Sequence, residues 1–391
     1  MEVNVEPVQL AAVLAAVVLV ASMVSVEFGI TVALVELTLG IVVGNAFDLQ
    51  SQGWLDFIAT FASIVLTFLA GMEVDPAYMR RRLQASVGIG VASFVGPFLV
   101  ASAVAYFVLD WSERASLIAG TALSTTSLAV VYAVLVERGL TDTAIGKLLM
   151  SATFVTDLCT ALALSAIFVK PNVWFPVFLI VSLGLILVLP RLAPWFFGRY
   201  GDRVIEPEIK LVFACLLVLM VLANASNGHA VLPAFVLGLV MSQHYLDHRE
   251  EQTRLRVVAF SFLTPFFFIK GGMNVSLGAV VGNLGLLAVL LVAKMAPKIG
   301  FVYPLARRAA PRHATFATLL MSTGLTFGTI SSLYGLNAGI IDTTQFSLLV
   351  TVVVLSAIVP TVIAERKFLP DADEEHRLDR RHAYAQSEEY V

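Results

Sequence analysis

The residue with the most pointed chemistry is Asp157, in the stretch LLMSATFVTDLCTALAL from 148 to 164. The stretch is apolar enough to lie in hydrocarbon, where a charge at the bilayer centre costs roughly 2.5–3.5 kcal/mol on insertion scales. On a helix, Thr153 and Thr160 fall four before and three after the carboxylate, on the same face, and Thr156 adjoins it in sequence. Their hydroxyls set hard oxygens beside one negative charge, a donor set that suits a small hard cation better than thiolate or imidazole would. A carboxylate also takes a proton. One site that holds either H⁺ or a cation is enough to couple their movements. The plainer alternative is a structural aspartate satisfied by hydroxyls or by a lysine.

Two lysines are candidates for that role. Lys294 and Lys298 lie one turn apart in LLAVLLVAKMAPKIGFVYPLARR, and either could pair with Asp157, offsetting its burial. Lys298, after Pro297, could instead snorkel to an interface. Lys270 reads as interfacial, and Glu36 reads as a second proton site or as a hydrogen-bonded structural carboxyl. Glu73 and Asp75 end the third apolar run and face the cytoplasm. His229 and His244 lie near the ends of runs and make no metal-ligand pattern.

The elements that must position these groups are membrane spans. Of 391 residues, 58% are hydrophobic and 14% charged, and the mean hydropathy is +0.87. Apolar runs near 20 residues recur, each long enough to cross about 30 Å of hydrocarbon. A net charge of −3 and the lack of a basic stretch point away from nucleic acid as a partner. Cys159 and Cys215 both fall inside apolar runs, which argues against a disulfide framework. The N-terminus, MEVNVEPVQL, lacks the positive region of a cleavable signal, so the first span is expected to be retained.

The pattern predicts thirteen spans, near 8–26, 29–46, 55–74, 86–109, 113–135, 145–169, 173–198, 207–226, 229–246, 257–275, 281–306, 313–334 and 343–365; the second and ninth are short. Loops after odd-numbered spans carry Arg80, Arg81 and Arg82; Arg138 and Lys147; Arg199, Arg203 and Lys210; Arg249, Arg254 and Arg256; and Arg307, Arg308 and Arg312. The loop after the first span carries none, and loops after even-numbered spans carry only Arg114 and Lys170. The positive-inside rule then puts the N-terminus outside and the charged tail, 367–391, in the cytoplasm of a multi-pass cell-membrane protein.

Two spans are expected to be broken. GTALSTTSLAVVYAVL carries Ser124, Thr125, Thr126 and Ser127 in mid-membrane; TLLMSTGLTFGTISSLYGL carries Ser322, Thr323, Gly324, Thr326, Gly328 and Thr329. Glycine and hydroxyl residues are weak helix formers, and irregular backbone at this depth is tolerated only where it lines a cavity or is buried in protein. The two spans are seven apart and so run in opposite directions. Spans two to six and nine to thirteen thus form candidate inverted repeats, a plan that brings paired interrupted helices to an ion site at the midplane. Close helix packing by small residues is the alternative.

The stretches ASIVLTFLAGMEVDP, ALSTTSLAVVYAVLVERG, LLMSATFVTDLCTALAL and LPAFVLGLVMSQ resemble the monovalent cation:proton antiporter-2 family, with its Kef-type transporters and bacterial Na⁺/H⁺ antiporters. The resemblance covers about residues 8–366. It implies an all-α polytopic membrane protein with a core domain of crossed interrupted helices (about 86–169 and 281–366), a dimer domain (about 8–74 and 207–275) and a linker helix near 173–198. It implies a homodimer whose core moves as an elevator, no resident cofactor, and as cargo a proton and a monovalent cation, Na⁺ or K⁺, with membrane lipid as the surroundings. Asp157 matches the cation-binding position, Thr126 and Ser127 match the interrupted-helix ligands, and the spacing to LAR favours Lys298 over Lys294 as the core lysine. Asp157 and Thr126 are then the expected ligands of the metal cation, with Thr153 and Thr156 beside them.

The departure is at the family's paired acids: here the pair is Thr156–Asp157, one carboxylate instead of two, which favours electroneutral one-for-one exchange. The competing reading is a cation channel or ligand-gated K⁺ efflux pathway without obligatory proton coupling. An intramembrane protease is disfavoured: an aspartyl enzyme needs two cooperating aspartates, and no deep Ser–His arrangement is evident.

Overall fold

The computed structural model describes residues 6–29, 31–47, 52–72, 82–141, 143–168, 172–201, 203–375 and 377. Glu73, Asp75, Arg80, Arg81, Lys170 and most of the tail lie outside the described residues. The described secondary structure is helical: α1 (Pro7–Phe28), α2 (Val32–Phe47), α3 (Gly53–Met72), α4 (Leu83–Phe107), α5 (Glu113–Ser124), α6 (Leu128–Glu137), α7 (Ala144–Phe168), α8 (Phe175–Tyr200), α9 (Pro207–Ala225), α10 (Val231–Asp247), α11 (Arg249–Val258), a π-helical turn (Ala259–Leu263), α12 (Thr264–Met273), α13 (Leu277–Gly282), α14 (Leu284–Ala309), a 3₁₀ turn (Pro311–His313), α15 (Ala314–Met321), α16 (Thr326–Asn337) and α17 (Thr343–Lys367).

Among the described residues, eleven helical stretches are long and apolar enough to cross a membrane, and Val32–Phe47 is a shorter apolar helix. The chain is an all-helical, multi-pass membrane protein. Of the thirteen expected spans, the second and ninth are the ones that fall short of the length, as α2 with 16 residues and α10 with 17.

The chain divides into two compact units: Met1–Pro76 with Ala161–Leu277, and Ala77–Thr160 with Gly278–Val391. In the first unit, glycines let backbones touch, the means by which helices associate where lipid removes the hydrophobic drive. Gly40 faces the Ile269 carbonyl and Gly272 faces that of Leu37, joining α2 to α12; Gly71 faces the Phe235 carbonyl and Gly238 that of Phe68, joining α3 to α10. Asn45 continues the first seam, donating to the Val275 carbonyl at 2.7 Å and accepting from the Leu277 amide at 2.9 Å. Lys270, read as interfacial from the sequence, is buried; its Nζ lies 2.6 Å from Asp56 Oδ1, and the long side chain reaches a carboxylate that is half exposed. Glu36 is also buried, and its Oε2 has no hydrogen-bond partner among the described residues.

The second unit is built on α4, which packs against α5 and α14. At one end a cluster that includes Ile89, Leu149, Ala152, Val302, Phe316 and Leu320 forms a dry core. The start of the tail folds onto this end: Ala372 packs on the cluster, Glu375 Oε1 lies 2.8 Å from His313 Nε2, and Glu374 Oε1 lies 3.5 Å from Arg312. The outer face of α4 exposes Leu83, Val87, Val91, Val95 and Leu99, every fourth residue, an apolar stripe suited to lipid.

Candidate functional site

Every residue singled out around Asp157 lies in the second unit. The fifth span starts as a regular helix, with Ser112 accepting from the Ala115 amide as its cap, and stops at Ser124. Thr125 is extended, at φ −65° and ψ 153°, and the helix resumes at Leu128 with the Ser127 hydroxyl accepting from the Val130 amide. The twelfth span breaks in the same manner between α15 and α16, where Leu325 has φ −148° and ψ −73°. Hydroxyl residues supply both breaks with local partners: Thr125 donates to the Ala122 carbonyl, Ser322 to that of Thr318 and Thr323 to that of Leu320. The two breaks cross, and the Ser127 amide donates to the Thr323 carbonyl at 3.1 Å.

Both lysines reach this crossing, and both are fully buried. Lys294 Nζ donates to the carbonyls of Leu123 at 3.0 Å and Thr125 at 3.3 Å. These are orphan carbonyls at the C-terminus of α5, where a cation offsets the negative end of the helix dipole. Gly324 leaves room for that ammonium: a methyl group on it would lie 2.5 Å from Lys294 Nζ. Lys298 Nζ donates to Ser93 Oγ at 2.7 Å and Thr126 Oγ1 at 2.9 Å. Thr126 in turn donates to the Met321 carbonyl at 2.9 Å, at the C-terminus of α15. Ser93 Oγ lies 3.2 Å from Thr126 Oγ1 and 3.4 Å from that same carbonyl. One ammonium and two hydroxyls thus tie α4, α14 and both broken spans together.

Asp157 is buried beside this network, 1% exposed, and its Oδ1 has no hydrogen-bond partner among the described residues. Lys298 is the cation whose field acts on it, without a described ion pair between them. The threonines of α7 turn their protons elsewhere. Thr153 donates to Met321 Sδ at 3.5 Å, Thr156 to the carbonyls of Gly90 at 3.2 Å and Ala152 at 3.1 Å, and Thr160 to that of Thr156 at 3.0 Å. Each hydroxyl so anchored keeps oxygen lone pairs free to accept a proton or face a cation.

The structure therefore brings together Asp157, Thr126, Ser127, Thr153, Thr156, Lys294, Lys298, Ser322, Thr323 and Gly324 around one crossing, with Thr326 opening α16. Sequence reasoning missed Ser93 and the Met321 carbonyl. A signal for Ser93 existed: Gly90 and Gly96 lie three residues to either side, marking a face of α4 that neighbours approach closely. The arrangement can hold one exchangeable positive species on a carboxylate, with two ammoniums fixed by hydrogen bonds nearby. Among the described residues no group of three His, Cys, Asp or Glu side chains forms a metal cluster.

Comparison with known proteins agrees with this architecture. The sodium/hydrogen exchanger transmembrane family matches residues 12–365. Among curated proteins, the chain is 24% identical over 346 residues to the probable Na⁺/H⁺ antiporter 3 of Methanocaldococcus jannaschii, covering 84% of this chain and 88% of that one. It is 25% identical over 340 residues to the Na⁺/H⁺ antiporter NhaS4 of Synechocystis, covering 81% and 82%. Among solved structures, the sodium proton antiporter MjNhaP1 of M. jannaschii superposes with a TM-score of 0.66 at 13% identity, over 91% of this chain and 95% of that one, a likeness of fold. The match spans nearly the whole membrane portion of the chain, which belongs to the sodium/hydrogen exchanger family.

Proposed function

We propose that this chain is a secondary transporter that exchanges a monovalent cation, Na⁺ or K⁺, for H⁺ at Asp157. The observation that carries the reading is the Asp157 carboxylate: it is buried, one oxygen is unpartnered among the described residues, and it adjoins the crossing of two broken spans. A bare carboxylate is costly there, so the occupied states are those with H⁺ or a cation bound, and competition between the two gives the coupling. Thr126, Ser127, Thr153 and Thr156 would supply oxygens to the cation, and Lys298, held by Ser93 and Thr126, a fixed counter-charge.

One titrating carboxylate in place of two favours electroneutral exchange, one cation for one proton. The resemblance implies an elevator movement of the core and a homodimer, and the arginine alternation implies an outside N-terminus and a cytoplasmic tail. The test is flux in proteoliposomes: Na⁺, K⁺ or Li⁺ is added to proton-loaded vesicles of purified protein, with and without a voltage clamp. Cation-dependent proton efflux insensitive to voltage is the expected result. Ohmic cation flux with no proton movement would make the protein a channel.

A further inference from the structure

At the end of the second unit that receives the tail, a groove of about 700 Å³ opens between α4 and α14. Its two cationic walls are Arg82, at the start of α4, and Arg308, at the end of α14; its floor is apolar, with Ile89, Leu305 and Ala309. Both arginines are exposed. No carboxylate lines the groove among the described residues, and neither guanidinium has a described acidic partner. Two other arginines of this end are paired, Arg138 with Glu365 at 3.1 Å and Arg312 with Glu374 at 3.5 Å. Gly88 lines the groove as well, and a Cβ built on it meets no atom within 4 Å.

The groove also has a direction. The exposed stripe of Leu83, Val87, Val91, Val95 and Leu99 runs away from it along α4, and Leu83 belongs to both. Two guanidiniums at the end of membrane spans, an apolar floor and an apolar stripe leading along the span match one ligand chemistry. A phosphate between the arginines would be held by the charged fork geometry that guanidinium offers to phosphate, and an acyl chain would lie on the stripe. Basic pockets between membrane helices are where anionic headgroups bind. We infer that the groove between Arg82 and Arg308 holds the phosphate headgroup of an anionic phospholipid, with an acyl chain along the outer face of α4.

The inference rests on the helices being membrane spans and is independent of what the transporter carries. Its consequence concerns the site, because the lipid would bridge the two helices that supply Ser93 and Lys298.

The experiment is native mass spectrometry of the purified full chain, released from micelles with defined amounts of phosphatidylglycerol or phosphatidylcholine. Wild-type protein is expected to retain phosphatidylglycerol preferentially. Each guanidinium near a charged surface is worth about a fivefold factor, so Arg82→Gln with Arg308→Gln should weaken retention about thirtyfold. Gly88→Phe fills the groove without altering charge and should also weaken retention. Arg307→Gln, adjacent in sequence but not lining the groove, should retain lipid as wild type does. Equal retention of the two lipids by wild type would overturn the proposal. So would full retention in Gly88→Phe, or a loss in Arg307→Gln as large as in the double variant, since either would mean diffuse surface attraction. Complete displacement by inorganic phosphate at equimolar amount would assign the groove to a free anion instead.

Discussion

Lys298 holds its position through two neutral hydroxyls, Ser93 and Thr126, rather than through a described ion pair with Asp157. Its charge acts on the carboxylate through space, so Lys298→Gln has a defined consequence. Without that positive charge the anionic carboxylate is less favourable, and the pH profile of exchange moves to higher pH. Lys294→Gln should instead lower thermal stability with little movement of the profile, because Lys294 serves the Leu123 and Thr125 carbonyls. The opposite pattern, measured by exchange rate against pH and by melting, would reverse the two roles. Ser93→Ala removes one acceptor from a buried ammonium and should slow exchange on the order of tenfold, with Ser93→Thr restoring it; an unaltered rate in the alanine variant would make Ser93 a packing residue only. Asp157 and the lysines were legible in the sequence because an ionisable residue in an apolar run is rare and costly. Ser93 was marked only by the flanking Gly90 and Gly96, and its role waits on α14 bringing Lys298 to it.

The broken spans were legible at the level of elements. Ser124–Ser127 and Ser322–Thr323–Gly324 are runs in which neither propensity nor side-chain bulk supports a helix, and the breaks fall there. What the sequence could not give was the backbone contact from Ser127 to Thr323, or that Gly324 makes room for an ammonium, since both depend on the crossing itself. Gly324→Ala should therefore displace Lys294 from the α5 carbonyls, cost ~1–3 kcal/mol in stability and reduce transport. Gly40→Leu, on the α2–α12 seam of the first unit, should cost at least as much, read as a lowered melting midpoint in detergent. A wild-type midpoint in Gly40→Leu would mean that this seam is loose. Lys270, read as interfacial, is received by Asp56 on another helix, a partner that one span's sequence does not reveal.

On the scale of the molecule, the arginine alternation predicts a side of the membrane for each helix end. With Cys159 and Cys215 replaced, a single cysteine beside Arg307 should resist an impermeant thiol reagent applied outside intact cells, and one at Asn283 should react. The reverse labelling would invert the topology. The start of the tail seats Ala372 and Glu375 on the second unit, a contact that composition does not reveal. Whether one carboxylate alternates between proton and cation is decided by purified Asp157→Asn in liposomes under the same inward cation gradient as wild type. Asparagine keeps the shape but carries neither the charge nor the proton. The variant should fold, insert and elute as wild type does while showing no cation-dependent proton flux. Exchange at the wild-type rate would place the exchange elsewhere and leave Asp157 as a buried structural carboxyl.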